Sequence, residues 1–117
     1  MSDITPLLQS ATSGSRELDD AVLQVAGWQR RIVELSLIDY EAWFDHNNIE
    51  VIGEPEPTQS FDAIASLIDA RGWVWTRPYP NVVCIGSPHV HDWSIHSEHP
   101  NFIINLCIAF LRARSTI

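Results

Sequence analysis

Residues 100–114 read Pro100-Asn101-Phe102-Ile103-Ile104-Asn105-Leu106-Cys107-Ile108-Ala109-Phe110-Leu111-Arg112-Ala113-Arg114. Proline is tolerated in the first turn of a helix, and the residues after it are apolar almost all the way round. A helix of that kind is buried rather than laid on a surface, so the segment predicts a core helix from Pro100 to about Arg114. Three β-like runs precede it: Trp73 to Arg77, Val82 to Ile85 and Trp93 to His96. Turn residues Pro78 to Asn81 and Gly86-Ser87-Pro88 separate them, which makes an antiparallel meander the economical reading. The fold class expected is therefore α+β, with a short antiparallel sheet of about three to four strands packed with helices and the C-terminal helix buried.

Further toward the N-terminus the punctuation favours helices. Ser60 can cap a helix with Asp62 in its first turn, Phe61, Ile64, Ala65 and Ile68 on one face, and Gly72 at its end. Ser15 can cap another, in which Leu18, Ala21, Val22 and Val25 recur at helical spacing before Gly27. Residues 28–48 are mixed: Ile32, Leu35, Ile38, Ala42 and Trp43 fit a helical period, while Arg30-Arg31-Ile32-Val33 can equally begin a strand. Gly53-Glu54-Pro55-Glu56-Pro57 reads as a turn or short linker. Residues 1–14, rich in Ser, Thr and Gly, read as a flexible leader, and residues 15–117 as a single domain.

The formal charge is −8, and every positive charge is an arginine. Such a surface repels duplex nucleic acid, which is bound by neutralising many phosphates at once. The acidity concentrates at Glu34, Asp39, Glu41, Asp45, Glu50, Glu54 and Glu56, leaving room for a local arginine pocket for one small anion. No apolar run approaches the roughly 20 residues of a membrane span. The start Met1-Ser2-Asp3-Ile4-Thr5-Pro6 lacks the features of a signal peptide, so a cytoplasmic protein is expected, with Cys84 and Cys107 as buried thiols.

Several side chains could carry chemistry. Asn101, Asn105 and Arg112 fall along one stripe of the terminal helix, which faces a ligand, or faces solvent, or caps neighbouring backbone. Trp75 and Arg77 share one side of a strand and form a stacking-plus-charge pair for a phosphorylated base, unless Trp75 plugs the core and Arg77 stands in solvent. His89, His91 and Asp92 have the His-x-His spacing with which several metal sites begin, although a polar hairpin explains them equally. There is no nucleophile elbow and no Gly-rich phosphate loop. Neither a catalytic set nor a cofactor is expected.

Three segments taken together resemble a known family: Arg16-Glu17-Leu18-Asp19 leading to Gly27-Trp28, Pro57-Thr58 through Ser60-Phe61-Asp62-Ala63 to Gly72-Trp73, and Asn105 through Arg114. They are similar to the small phage and prophage proteins with a phage ABA sandwich domain. Proteins of similar size and plan include the phage anti-Thoeris sponges, which hold cyclic ADP-ribose-type signals between protomers of an oligomer. The resemblance implies a non-enzymatic, oligomeric anti-defence protein in which Arg112 neutralises phosphate. Ile108 stands where a further arginine would suit a pyrophosphate, and the central region is replaced by an acidic insert.

The function expected on these grounds is sequestration of a cyclic nucleotide-type immune signal by Arg112, Arg77, Trp75 and Asn105. One alternative is a protein-binding inhibitor of a host factor, using the acidic and aromatic stretch Tyr40 to Glu56. The other is a His-dependent metalloenzyme.

Overall fold

The computed structural model describes residues 4–35, 37–87 and 90–116, with only the backbone described at residues 87, 90–94 and 116. Its organising element is the helix α4, Phe102–Thr116, in which Ile104 through Leu111 and Ala113 are buried. Asn101 caps it: its Oδ1 accepts the Ile104 amide at 3.2 Å and its carbonyl accepts the Asn105 amide at 2.8 Å. The helix thus begins two residues later than Pro100 suggests, because an asparagine side chain offers the first-turn amides an acceptor that proline lacks.

Against α4 lies a meander of β4 (Val74–Tyr79), β5 (Val82–Ser87) and β6 (Val90–Glu98), in the spatial order β4-β5-β6. The register pairs Trp75 with Ile85 and Ile85 with Ile95, so these three side chains share the face turned to α4. Val83 and Ile85 are wholly buried there. The other helices close around α4: α1 (Thr5–Ser10), α2 (Arg16–Val25) and α3 (Phe61–Ala70) all contact it. Ser15 and Ser60 cap α2 and α3 as their positions suggest, and Gly72 ends the second at φ +72°.

Two elements differ from the sequence reading. In the stretch read as a leader, Thr5–Ser10 form α1, and Leu8 is fully buried against the core. The reason is local: Pro6 starts the turn, and Ile4 and Leu8 stand one turn apart on the face that meets the core. Backbone carbonyls beyond α1 are then tied down, Ala11 to His99 Nε2 at 2.8 Å and Thr12 to Asn101 Nδ2 at 3.3 Å.

The second is the ambiguous stretch after Trp28, which is β structure: β1 (Gln29–Glu34), β2 (Asp39–Phe44) and the two-residue β3 (Glu50–Val51) form a second antiparallel sheet, in the order β1-β2-β3. The helical period fails because its apolar face finds no core: Ile32, Leu35 and Ile38 are 65%, 57% and 68% exposed. Trp43 decides instead. It is buried at the base of the hairpin beneath the Arg30 guanidinium, 4.9 Å from its ring centre, and Arg30 in turn pairs with Glu54 at 2.8 Å and Asp20 at 3.7 Å. That knot fastens the hairpin base to α2 and to the Gly53–Pro57 loop. The molecule is correspondingly elongated, 52 × 33 × 26 Å.

Among the described residues, no helix is long and apolar enough to cross a membrane. Cys84 and Cys107 are free thiols, the first half-buried and the second fully buried.

Candidate functional site

Trp75 and Arg77 do share one side of β4, and both meet the first turn of α4. Trp75 lies 5.4 Å from Phe102 and 5.7 Å from Phe61 between ring centres, and Phe61 stacks on Phe102 at 5.8 Å. The Arg77 guanidinium covers Phe102 at 4.6 Å and donates from Nε and Nη2 to the Pro80 carbonyl at 3.0 and 2.7 Å. This half-exposed aromatic cluster is held together by its own contacts, and two of Arg77's donor atoms are spent on the β4–β5 turn.

The other expected ligand groups stand elsewhere. Arg112 is ten residues beyond Phe102, about 15 Å along a helix, and its Nη1 donates to the His96 carbonyl of β6 at 2.9 Å. Asn105 is 1% exposed. Its Nδ2 donates to the Asn81 carbonyl at 2.9 Å and the His99 carbonyl at 3.3 Å, while its Oδ1 accepts the Ser97 hydroxyl. Asn105 therefore ties α4 to β6 and the β4–β5 turn and presents no amide to a ligand. Trp43 is also lost to the expected acidic and aromatic face, being buried. His89 lies outside the described residues, and of His91 and Asp92 only the backbone is described; both lie in β6.

A recess that the sequence reading missed lies on the other side of α4. It has a volume of about 270 Å³ and is enclosed by α2, α3, α4 and the hairpin base. Its walls are largely apolar: Leu23 from α2 and Ala26 at its C-terminal cap, Leu67 from α3, Phe110 from α4, with Trp28 and Pro57. By comparison, an apolar cavity of roughly 150 Å³ suffices for benzene. Pro55, Ala63 and Ala70 add to these walls, and four polar residues, Asp45, His46, Ser66 and Arg71, complete the lining. Asp45 Oδ1 is engaged, accepting the amides of Asn47 and Ile49 at 2.9 and 3.0 Å.

Arg71 gives the recess its electrostatic character. Its Nη2 donates to the Ala26 carbonyl at 2.9 Å, and the guanidinium lies 5.8 Å from the Trp73 ring centre. Burial, and then the neighbouring positive charge of Arg114, lower its proton affinity below the ordinary arginine value. Arg114 itself keeps a buried Nε that has no hydrogen-bond partner among the described residues. Arg16 and Arg30 form ion pairs, whereas neither Arg71 nor Arg114 does so among the described residues. Arg71 and Arg114 are close enough for their positive charges to oppose each other, and the carboxylate on the recess lining, Asp45, makes no ion pair with Arg71 among the described residues. The sequence offered one cue, an arginine between the end of a capped helix and its terminal glycine, and that cue reads as an ordinary helix stop.

Comparison of the chain with models of known protein families, with curated proteins and with solved structures returns no match.

Proposed function

We propose that this chain is a binding protein for a small amphipathic anion of the nucleotide type, with one ring system in the α2–α3–α4 recess and the anionic group at Arg71. The observation that carries the reading is the recess itself: largely apolar walls with Arg71, which makes no ion pair among the described residues, and a carboxylate, Asp45, whose Oδ1 is held by two backbone amides. Its composition is that of small-molecule sites, mostly apolar with a few placed polar groups. A volume of this order takes one base rather than an entire cyclic oligonucleotide. A protein holding such a ligand would act as a sink for a nucleotide-derived signal, the anti-defence role that the sequence resemblance implies. Arg112, Arg77 and Trp75 lie outside this recess and are not part of it.

Calorimetric titration with cyclic ADP-ribose isomers, cyclic oligonucleotides and mononucleotides tests the proposal. At least one should bind at micromolar affinity or better. Ala70→Trp, which adds bulk at an exposed position of the lining, should abolish binding while the protein stays folded. Arg112→Ala should leave binding intact. Silence across the panel, or binding indifferent to Ala70→Trp, overturns the assignment.

A further inference from the structure

The sheets of this molecule do not treat their edges alike. An unpaired edge strand presents free amides and carbonyls and is normally blunted by brevity, proline, charge or a covering contact. The β4 edge carries Pro78, and on β6 Arg112 caps the His96 carbonyl at 2.9 Å. The β3 edge is only two residues long. The β1 strand is six residues long, lies at the end of its sheet and contains no proline, so its guard is charge, in Arg30, Arg31 and Glu34. Its arginines are held on the faces of their own sheet, Arg30 over Trp43 and Arg31 over Phe44 at 4.8 Å. Apolar side chains crowd the same end, with Ile32 65%, Leu35 57%, Leu37 94% and Ile38 68% exposed.

The strand is also complementary to itself. The Leu35 amide donates to the Ile38 carbonyl, so by the alternation of an antiparallel ladder the backbone groups of Arg30, Ile32 and Glu34 point away from β2, toward the free edge. A two-fold axis perpendicular to a sheet pairs a central residue with its own copy. Centred on Ile32, it sets Ile32 against Ile32 and Arg30 against Glu34 on both sides. Centred one residue either way, it sets Glu34 against Ile32 or Arg31 against Arg31. Within one protomer Glu34 faces Asp39, a like-charge pair that an opposing arginine relieves.

We propose that β1 pairs antiparallel with β1 of a second copy about a two-fold axis at Ile32, joining the two hairpin sheets into one six-stranded sheet. The homodimer is isologous and closed, so the free amides and carbonyls of β1 are paired and only the short β3 and the part of β2 beyond it remain as outer edges.

Sedimentation equilibrium of the full chain at micromolar to sub-millimolar concentrations should give a dimer. Ile32→Asp places two carboxylates on the axis and should weaken association by about a hundredfold. Its fold should survive, since Ile32 belongs to no core, and circular dichroism checks that point. Leu7→Asp, at a 61% exposed site on α1, should leave the dimer unchanged. Under oxidation Ile32→Cys should form a disulfide-linked dimer, because directly paired Cα atoms about 5.5 Å apart are within disulfide reach, whereas Leu7→Cys should not. A monomer at every concentration overturns the proposal and leaves the edge to an unlike strand. A dimer indifferent to Ile32→Asp overturns it as well.

Discussion

Asp19 and Thr58 are joined twice: Asp19 Oδ1, in a residue 2% exposed, accepts the Thr58 amide at 2.7 Å and the Thr58 hydroxyl at 2.5 Å. Its Oδ2 takes Gln59 Nε2 at 2.7 Å. A buried carboxylate with three donors is a clamp, here between α2 and the segment that leads into α3. The clamp also sets Pro57, whose carbonyl accepts the Cys107 thiol at 3.1 Å and whose ring walls the recess.

Removing that carboxylate leaves the buried Thr58 amide without its acceptor and breaks the tie between α2 and the α3 approach, although the Thr58 hydroxyl keeps the Ser15 carbonyl at 3.1 Å. Asp19→Ala should lower stability by about 3 kcal/mol in urea unfolding, and Asp19→Asn, which keeps one acceptor oxygen, by less. An unchanged midpoint for Asp19→Ala would show that the clamp is not formed.

Gly14 packs on the same clamp. A Cβ built there would stand 2.0 Å from the Thr58 carbonyl oxygen, and backbone cannot swing aside as a long side chain can. Gly14→Ala should therefore cost about 2 kcal/mol or more. Gly72→Ala meets nothing within 4 Å and should cost only the strain of its left-handed backbone, about 1 kcal/mol. Thermal unfolding of the two variants should rank them in that order.

Asn105 offers a test that separates structure from ligand binding. Asn105→Leu removes one acceptor of the Ser97 hydroxyl and the side-chain donor to the His99 carbonyl, while the Asn81 carbonyl keeps the His99 amide, at a cost of about 3 kcal/mol. The affinity of its folded fraction for whichever nucleotide the titrations identify should match that of the parent protein. A selective loss of affinity would instead return Asn105 to the binding site.

Burial, with a smaller contribution from Asp19, pushes the Cys107 thiol far above its ordinary range. A raised folded-state value means that the thiol stays protonated in the fold while the unfolded chain ionises, so its contribution to stability is complete below about pH 8.5 and shrinks above it. Between pH 8.5 and 10 the loss approaches about 1.4 kcal/mol per pH unit, and Cys107→Ala should flatten that part of the profile. The half-buried Cys84 should react with a thiol reagent in the folded protein well before Cys107 does.

Much of this architecture was legible because it is local. Ser15 and Ser60 announce their helices with a side-chain acceptor ahead of an apolar period, and the run from Phe102 to Leu111 has no polar face to turn outward. The three strands before it are bounded by proline, glycine and asparagine, whose backbone limits act residue by residue. Other features depend on groups far apart in the chain. The stretch from Trp28 to Phe44 carries both periods, and β wins because Trp43 finds a buried seat under Arg30, whose partners Asp20 and Glu54 lie ten and 24 residues away. Residues 5–10 join the core because Leu8 meets α4, almost a hundred residues later. Arg112 and Arg77 carry equal charge in the sequence, yet the length of α4 sets them apart and leaves Arg71 and Arg114 as neighbours. Local conformational preference can be read along a chain, whereas desolvation and the meeting of charges belong to the three-dimensional packing alone.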